Sequence, residues 1–174
     1  MKKILFAASE AVPFMKTGGL ADVTGSLPKY FDKKNYDVRV ILPKYVCMEE
    51  RWKGQLHFLC HFYVNLSWRK QYVGIFETTY DGITYYLVDN EFYFAGNAPY
   101  NNIYEDVEKF AFFSKAVLEA LPYLDFCPDI IHCHDWQTGL LPVFLRTLYG
   151  DEEYYTGIKL SLIHISEPTR PEPI

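Results

Sequence analysis

Lys3-Ile4-Leu5-Phe6-Ala7-Ala8, then Lys16-Thr17-Gly18-Gly19-Leu20-Ala21-Asp22, then Asp37-Val38-Arg39-Val40-Ile41-Leu42-Pro43 together set the fold. The first run is short and apolar throughout, which predicts a strand buried on both faces. Pro13 and Gly18-Gly19 mark a loop after it. Leu20, Val23, Leu27 and Phe31 then recur at helical spacing, and Asp22 in the first turn suits the positive end of a helix dipole. Pro28 inside that pattern predicts a kinked or shortened helix. The third run is a strand closed by Pro43. Strand, helix and strand within about forty residues open a βαβ unit, whose crossover is right-handed in nearly all cases.

Downstream, His57–Trp68, Gln71–Thr79 and Ile83–Val88 are rich in aromatic and β-branched residues. Asp81-Gly82 between the last two is a hairpin-turn signal, so an antiparallel excursion attached to the parallel sheet is expected. Asn90–Asn102 reads as a loop dense in Phe, Tyr, Gly and Asn. Val107, Phe110, Ala111, Ser114, Val117, Leu118 and Leu121 mark one face of a long helix. Pro128–Trp136 reads as a strand with a polar end, Thr138–Tyr149 as a helix and Lys159–Ile163 as a further strand. The alternation predicts an α/β fold: a Rossmann-like open sheet with helices on both faces. Ser166–Ile174 holds three prolines in nine residues and no apolar period, so it cannot continue that sheet.

The 174 residues fit one domain with a sizeable core. A hydrophobic share of 49% without low-complexity runs excludes global disorder. The net charge of −5 and the scattered basic residues argue against nucleic acid or an anionic membrane as partner. Ser9, Glu10 and Pro13 cut the N-terminal apolar run too short for a signal peptide, and no run has membrane-spanning length. Cys47, Cys60, Cys127 and Cys133 form no CxxC pair, which suits a reduced, cytoplasmic setting.

Ligands of open α/β sheets bind beyond the carboxyl ends of the strands, and two loops qualify. In Lys16–Asp22, the paired glycines allow close backbone approach, and the helix start offers unpaired N–H groups. With Lys16 nearby, that suits a phosphate or diphosphate. A tight turn with a solvated lysine is the plainer reading, since the G-x-G-x-x-G spacing is absent. In His132-Cys133-His134-Asp135-Trp136, the two histidines share one strand face. Three readings stand: a zinc site, histidines satisfied at a strand end, or recognition of sugar hydroxyls beside an aromatic ring. Phe110-Ala111-Phe112-Phe113 reads as core. Tyr93, Phe94 and Tyr100 lie in a polar loop and are candidates to line a site.

The sequence resembles the bacterial glycogen synthase and plant starch synthase family of ADP-glucose-dependent glucosyltransferases. The resemblance rests on Lys3–Phe6, Ser9-Glu10, Pro13-Phe14, Lys16–Val23, Tyr86–Asn90, Tyr93-Phe94, Lys109–Ser114 and Pro128–Gly139, in that order. It implies a two-domain glycosyltransferase-B fold, of which residues 1–159 supply most of the N-terminal domain. It further implies that Lys16, Gly18 and Gly19, with Asp22 of the same motif, meet the diphosphate and glucose of the donor. His132, His134 and Asp135 would face the transferred glucose and the acceptor, and Tyr100 would lie near the donor. Lys16, His134 and Asp135 are the expected catalytic groups. The implied reaction makes α-1,4-glucan bonds with retention and uses neither metal nor cofactor. Its implied partners are ADP-glucose, a glucan such as glycogen, and the C-terminal domain of the same enzyme.

After Lys159 the sequence departs from the family pattern, and His164 falls one residue early for the family's active-site histidine. Residues 160–174 are therefore expected to be non-native or disordered, and His164 is assigned no role. A fragment ending there is expected to bind sugar or nucleotide without turnover. A metal-dependent hydrolase built on His132 and His134 is the remaining alternative.

Overall fold

The computed structural model describes residues 1–163; His164 and the Ser166–Ile174 segment lie outside the described residues. In chain order the elements are β1 (Lys2–Ala7), α1 (Gly19–Ser26), β2 (Tyr36–Pro43), α2 (Glu50–Lys53), β3 (His57–Leu66), β4 (Arg69–Tyr80) and β5 (Ile83–Asp89). They continue with α3 (Glu91–Phe94), α4 (Ile103–Ala120), β6 (Ile130–His134), α5 (Leu140–Thr147) and β7 (Lys159–Ile163). One sheet takes them in the order β3-β4-β5-β2-β1-β6-β7. Strands β5, β2, β1, β6 and β7 are parallel, while β3 and β4 run antiparallel as the expected excursion.

Each face of the sheet carries its own apolar core. Leu5, Ala7, Ile41, Ile131 and Cys133 pack under Phe110, Phe113, Val117, Leu141 and Leu145 of α4 and α5. Ile4, Phe6, Val38, Val40 and Leu42 face the other way, against Ala11, Phe14 and Phe31. Full burial of such side chains stabilises by roughly 1.5–3 kcal/mol each. The chain leaves β1 for β2 on one side of the sheet and passes from β6 to β7 on the other. The reversal between β1 and β6 is the topological switch point, the place where open α/β sheets bind their ligands beyond the strand ends.

Local chemistry explains most boundaries. Pro28 ends α1 early, and the chain continues as a 3-10 turn over Leu27–Tyr30. The side of α1 that packs is Ala21, Thr24 and Gly25, not the Leu20–Val23–Leu27 stripe, because the helix lies directly on the Ala11–Pro13 backbone. A Cβ on Gly25 would stand 2.4 Å from the Val12 carbonyl oxygen, so only glycine allows that approach. Val23 and Leu27 remain exposed, as does Val107 near the start of α4. Asp81 and Gly82 both have positive φ, at 50° and 71°, the backbone of a tight hairpin turn. The strand expected through Trp68 stops sooner, at a turn where Ser67 has φ 54°. At the other edge, β7 pairs in register with β6 from Ile130↔Lys159 to His134↔Ile163. The strand read in the sequence over Lys159–Ile163 thus forms as β7 and satisfies the outer edge of β6.

Candidate active site

The loop between β1 and α1 reaches the switch point from the end of β1. Gly18 is the extended N-cap of α1 and offers no side-chain cap, so the first-turn N–H groups are left for water or a ligand. Neither Gly18 nor Gly19 has positive φ. A Cβ on Gly19 would meet nothing within 4 Å, and one on Gly18 only Glu10 Oε1 at 3.9 Å. The fold requires glycine at neither position; what the pair does is leave backbone bare on its open side. Lys16 is exposed beside it, and its Nζ donates to both Asp22 carboxylate oxygens at 2.7 and 2.8 Å. The lysine is therefore not simply solvated. An exposed pair of this kind contributes only ~0–1 kcal/mol, so a more highly charged phosphate can take over Lys16 at small cost.

Behind the loop lies a buried polar network. The Thr17 N–H and hydroxyl donate to Glu10 Oε2 at 2.5 and 2.9 Å, and Thr24 Oγ1 donates to the Glu10 carbonyl at 2.6 Å. The Ser9 and Tyr100 hydroxyls are 2.8 Å apart, and Tyr45 donates to the Ser9 carbonyl at 2.8 Å. Burial, reinforced by the nearby Glu10 carboxylate against the Ser9 hydrogen bond, holds the Tyr100 phenol well above the usual tyrosine range. It therefore stays protonated at neutral pH. The loop carrying Tyr100 is fastened to α4: Lys109 Nζ donates to Asp106 and to the Pro99 carbonyl at 2.7 and 2.8 Å, both side chains buried.

The end of β6 forms the other wall. His132 and His134 share a face, their rings 4.4 Å apart and each close to Phe6. His134 is buried; His132 is half-buried, and burial lowers its pKa, leaving the imidazole neutral at neutral pH. Asp135 has φ 65° and ψ 178°, a backbone conformation nearly confined to glycine. It is held there by its N–H to the Ile163 carbonyl at 2.9 Å and by the Trp136 N–H to its own Oδ1 at 2.8 Å. That conformation costs of order 1–3 kcal/mol and turns the chain abruptly at the strand end. Trp136 packs on Phe110 at 5.5 Å, and Phe110 on Tyr100 at 5.9 Å, so one aromatic row joins the two walls. Among the described residues no group of three or more His, Cys, Asp or Glu side chains converges as a metal site, so the hydrolase alternative lacks its ligand set.

Residues 3–165 match the family described as the starch synthase catalytic domain. The chain belongs to that family. A glycogen synthase of Lachnoclostridium phytofermentans is 67% identical over 159 residues, covering 91% of this chain and 33% of that protein. A glycogen synthase of Lachnospira eligens is 62% identical over the same shares. Among solved structures, the catalytic domain of starch synthase IV from Arabidopsis thaliana, bound to ADP and acarbose, has a TM-score of 0.81 at 28% identity. That match covers 92% of this chain and 33% of the other. The chain thus spans about a third of the length of the relatives it matches.

Within this family domain, the structure brings Tyr100 to the β1 end and sets Lys16, Asp22, Gly18 and Gly19 on one loop. It buries His134 at the last position of β6 and sets Asp135 at the abrupt turn directly after it. Sequence reading assigned no role to Ser9, Glu10, Thr17 or Tyr45, which build the loop's support. The available signal was Ser9-Glu10 directly after the apolar run, a polar pair where a buried strand ends.

Proposed function

We propose that this chain is the N-terminal part of an ADP-glucose-dependent glycogen or starch synthase. The complete enzyme transfers glucose to the non-reducing end of an α-1,4-glucan with retention of configuration. One observation carries the reading: an uncapped helix start with bare glycines and an adjacent lysine, at the switch point of an open α/β sheet. The two bacterial relatives named glycogen synthases and the ADP- and acarbose-bound plant structure support it, and the choice of ADP-glucose rests on that family.

In this reading the diphosphate sits at the start of α1. Lys16 exchanges the Asp22 carboxylate for a phosphate oxygen, and Asp22 remains as the counter-charge that keeps the ammonium in place. As the glycosidic bond breaks, negative charge grows on the departing ADP, where Lys16 and the first-turn N–H groups already point; donors fixed in advance stabilise such charge most effectively. Asp135 and neutral His132 meet sugar hydroxyls or the positive charge building at the anomeric carbon. His134 supports that wall from below, and protonated Tyr100 holds the first loop through Ser9. A second domain of the glycosyltransferase-B type closes the crevice from the far side. No metal or other cofactor takes part, and neither nucleic acid nor membrane is a partner; no helix among the described residues is long and apolar enough to cross a membrane. The setting is the cytoplasm.

Because the chain spans a third of its relatives, in isolation it binds nucleotide-sugar without turnover. Calorimetric titration with ADP-glucose, and an assay of the chain joined to the remaining domain, test both statements. Absence of any ADP-glucose binding contradicts the first, and glucan elongation by the isolated chain contradicts the second. That residues after Lys159 are foreign to the protein is tested by the genomic reading frame; an uninterrupted frame encoding them counts against it.

A further inference from the structure

Among the described residues one ion pair has both side chains buried: Lys109 and Asp106, on the first two turns of α4, 2.7 Å apart. Such a pair adds little stability over apolar side chains of the same volume, because both charges give up water. What it adds is direction. Lys109 Nζ also donates to the Pro99 carbonyl at 2.8 Å, and the Asn101 N–H is shared between the two Asp106 carboxylate oxygens at 3.2 and 3.1 Å. The two charges therefore hold the backbone on both sides of Tyr100, one by a carbonyl and the other by an N–H. Bonds to charged groups are shorter and roughly twice as strong as neutral ones, so turning Tyr100 away requires breaking two strong bonds together. There is no slack beyond it, since Asn102 is already the N-cap of α4 and accepts from the Tyr104 and Glu105 N–H groups.

From Tyr100 the contacts run on to the end of β1. Its hydroxyl meets that of Ser9 at 2.8 Å and lies close to the Glu10 and Thr17 side chains. Glu10 takes both donors of Thr17, which stands between Lys16 and Gly18. We infer that Asp106 and Lys109 are positioning residues for the donor loop: one buried charge pair on α4 fixes Tyr100, and through Ser9, Glu10 and Thr17 it sets where Lys16 and the bare Gly18-Gly19 backbone stand. The inference rests on the ADP-glucose site of the proposed function and adds two residues that act on that site without belonging to its loop.

ADP-glucose titration of the whole chain provides the test, on variants chosen to keep the fold. Asp106→Leu with Lys109→Met replaces the pair by apolar side chains of similar volume, an exchange that is often neutral or stabilising, so the melting temperature should hold. Binding of ADP-glucose should nevertheless weaken roughly two- to thirtyfold. Lys109→Arg keeps the charge and the donors and should retain wild-type affinity. Tyr100→Phe alone should also weaken binding, and adding it to the apolar pair should bring no further loss, because both changes interrupt one path. Wild-type affinity of the apolar-pair variant, or losses that simply add, overturns the positioning role. Amide exchange of the unaltered chain gives a reading that needs no variant to fold. The Asn101 and Thr17 N–H groups should open together as one unit, and unrelated protection of the two overturns the role as well. A wild-type chain that binds no ADP-glucose contradicts the proposed function, and the exchange measurement then decides by itself whether the pair holds the loop.

Discussion

Replacing Gly19 by alanine separates stability from ligand binding, and Gly25→Ala six residues on provides the contrast. At Gly19 the new methyl would meet nothing within 4 Å, and the backbone there is helical without positive φ. Alanine restricts the unfolded chain and favours the helix, so stability should hold or rise by about 0.4–1 kcal/mol. The same methyl occupies open space at the first residue of α1, where the proposed diphosphate would approach. ADP-glucose binding by the chain should therefore weaken by about tenfold, equivalent to ~1.4 kcal/mol. At Gly25 the methyl would lie 2.4 Å from both Val12 Cγ2 and the Val12 carbonyl oxygen and 3.0 Å from its nitrogen. Two of these are backbone atoms, so the β1–α1 loop has to shift. Overpacking of this kind costs about 1–3 kcal/mol. For a domain of this size that lowers the melting temperature by roughly 2–12 °C. Thermal melts and calorimetric ADP-glucose titrations of both variants provide the readouts. A Gly19→Ala chain that melts normally and binds ADP-glucose as tightly as wild type would refute the placement of the diphosphate.

Asp135→Gly relieves the positive φ and gives up one capping bond, so a gain of about 1 kcal/mol in denaturant melts is expected, with loss of turnover in the joined enzyme. Unchanged or lower stability would mean that the backbone there is not strained. His132 has its pKa lowered by burial from the ordinary 6.5, so the unfolded chain takes up its proton first as the pH falls. Stability should therefore decline as the pH drops from 6.5 toward the folded value, and His132→Asn should flatten that part of the profile; identical profiles would contradict it. Tyr100→Phe removes the hydroxyl that meets Ser9, at a cost of about 0.5–1.5 kcal/mol in urea melts. A change below the precision of the melts would show that Ser9 finds water instead.

Much of this architecture was legible because it is written in short-range patterns. The apolar run at Lys3–Ala8, the proline at 28 and the Asp81-Gly82 pair each encode a local preference, and the chain follows all three. The α1 stripe misled because periodicity reports apolar side chains, whereas α1 packs through Ala21, Thr24 and Gly25 against backbone. Trp68 read as strand because its β-propensity hides the turn made at Ser67. Motif residues singled out both candidate loops, yet the supports of those loops depend on partners far along the chain. Tyr45 and Tyr100 converge on Ser9 from 36 and 91 residues away, and no spacing rule contains that. The conformation of Asp135 is likewise set by its neighbours, since aspartate has no intrinsic preference for that region.

ADP-glucose affinity of the chain before and after Lys16→Ala tests the anchoring role of Lys16 most directly, with turnover of the joined enzyme as the second reading. The side chain is exposed and paired only with Asp22, so the substitution leaves the fold intact. Weaker binding by the chain, together with kcat lowered by roughly 10²–10³ in the joined enzyme, is the expected result. An unchanged affinity with kcat within threefold of wild type would mean that the departing ADP is held elsewhere.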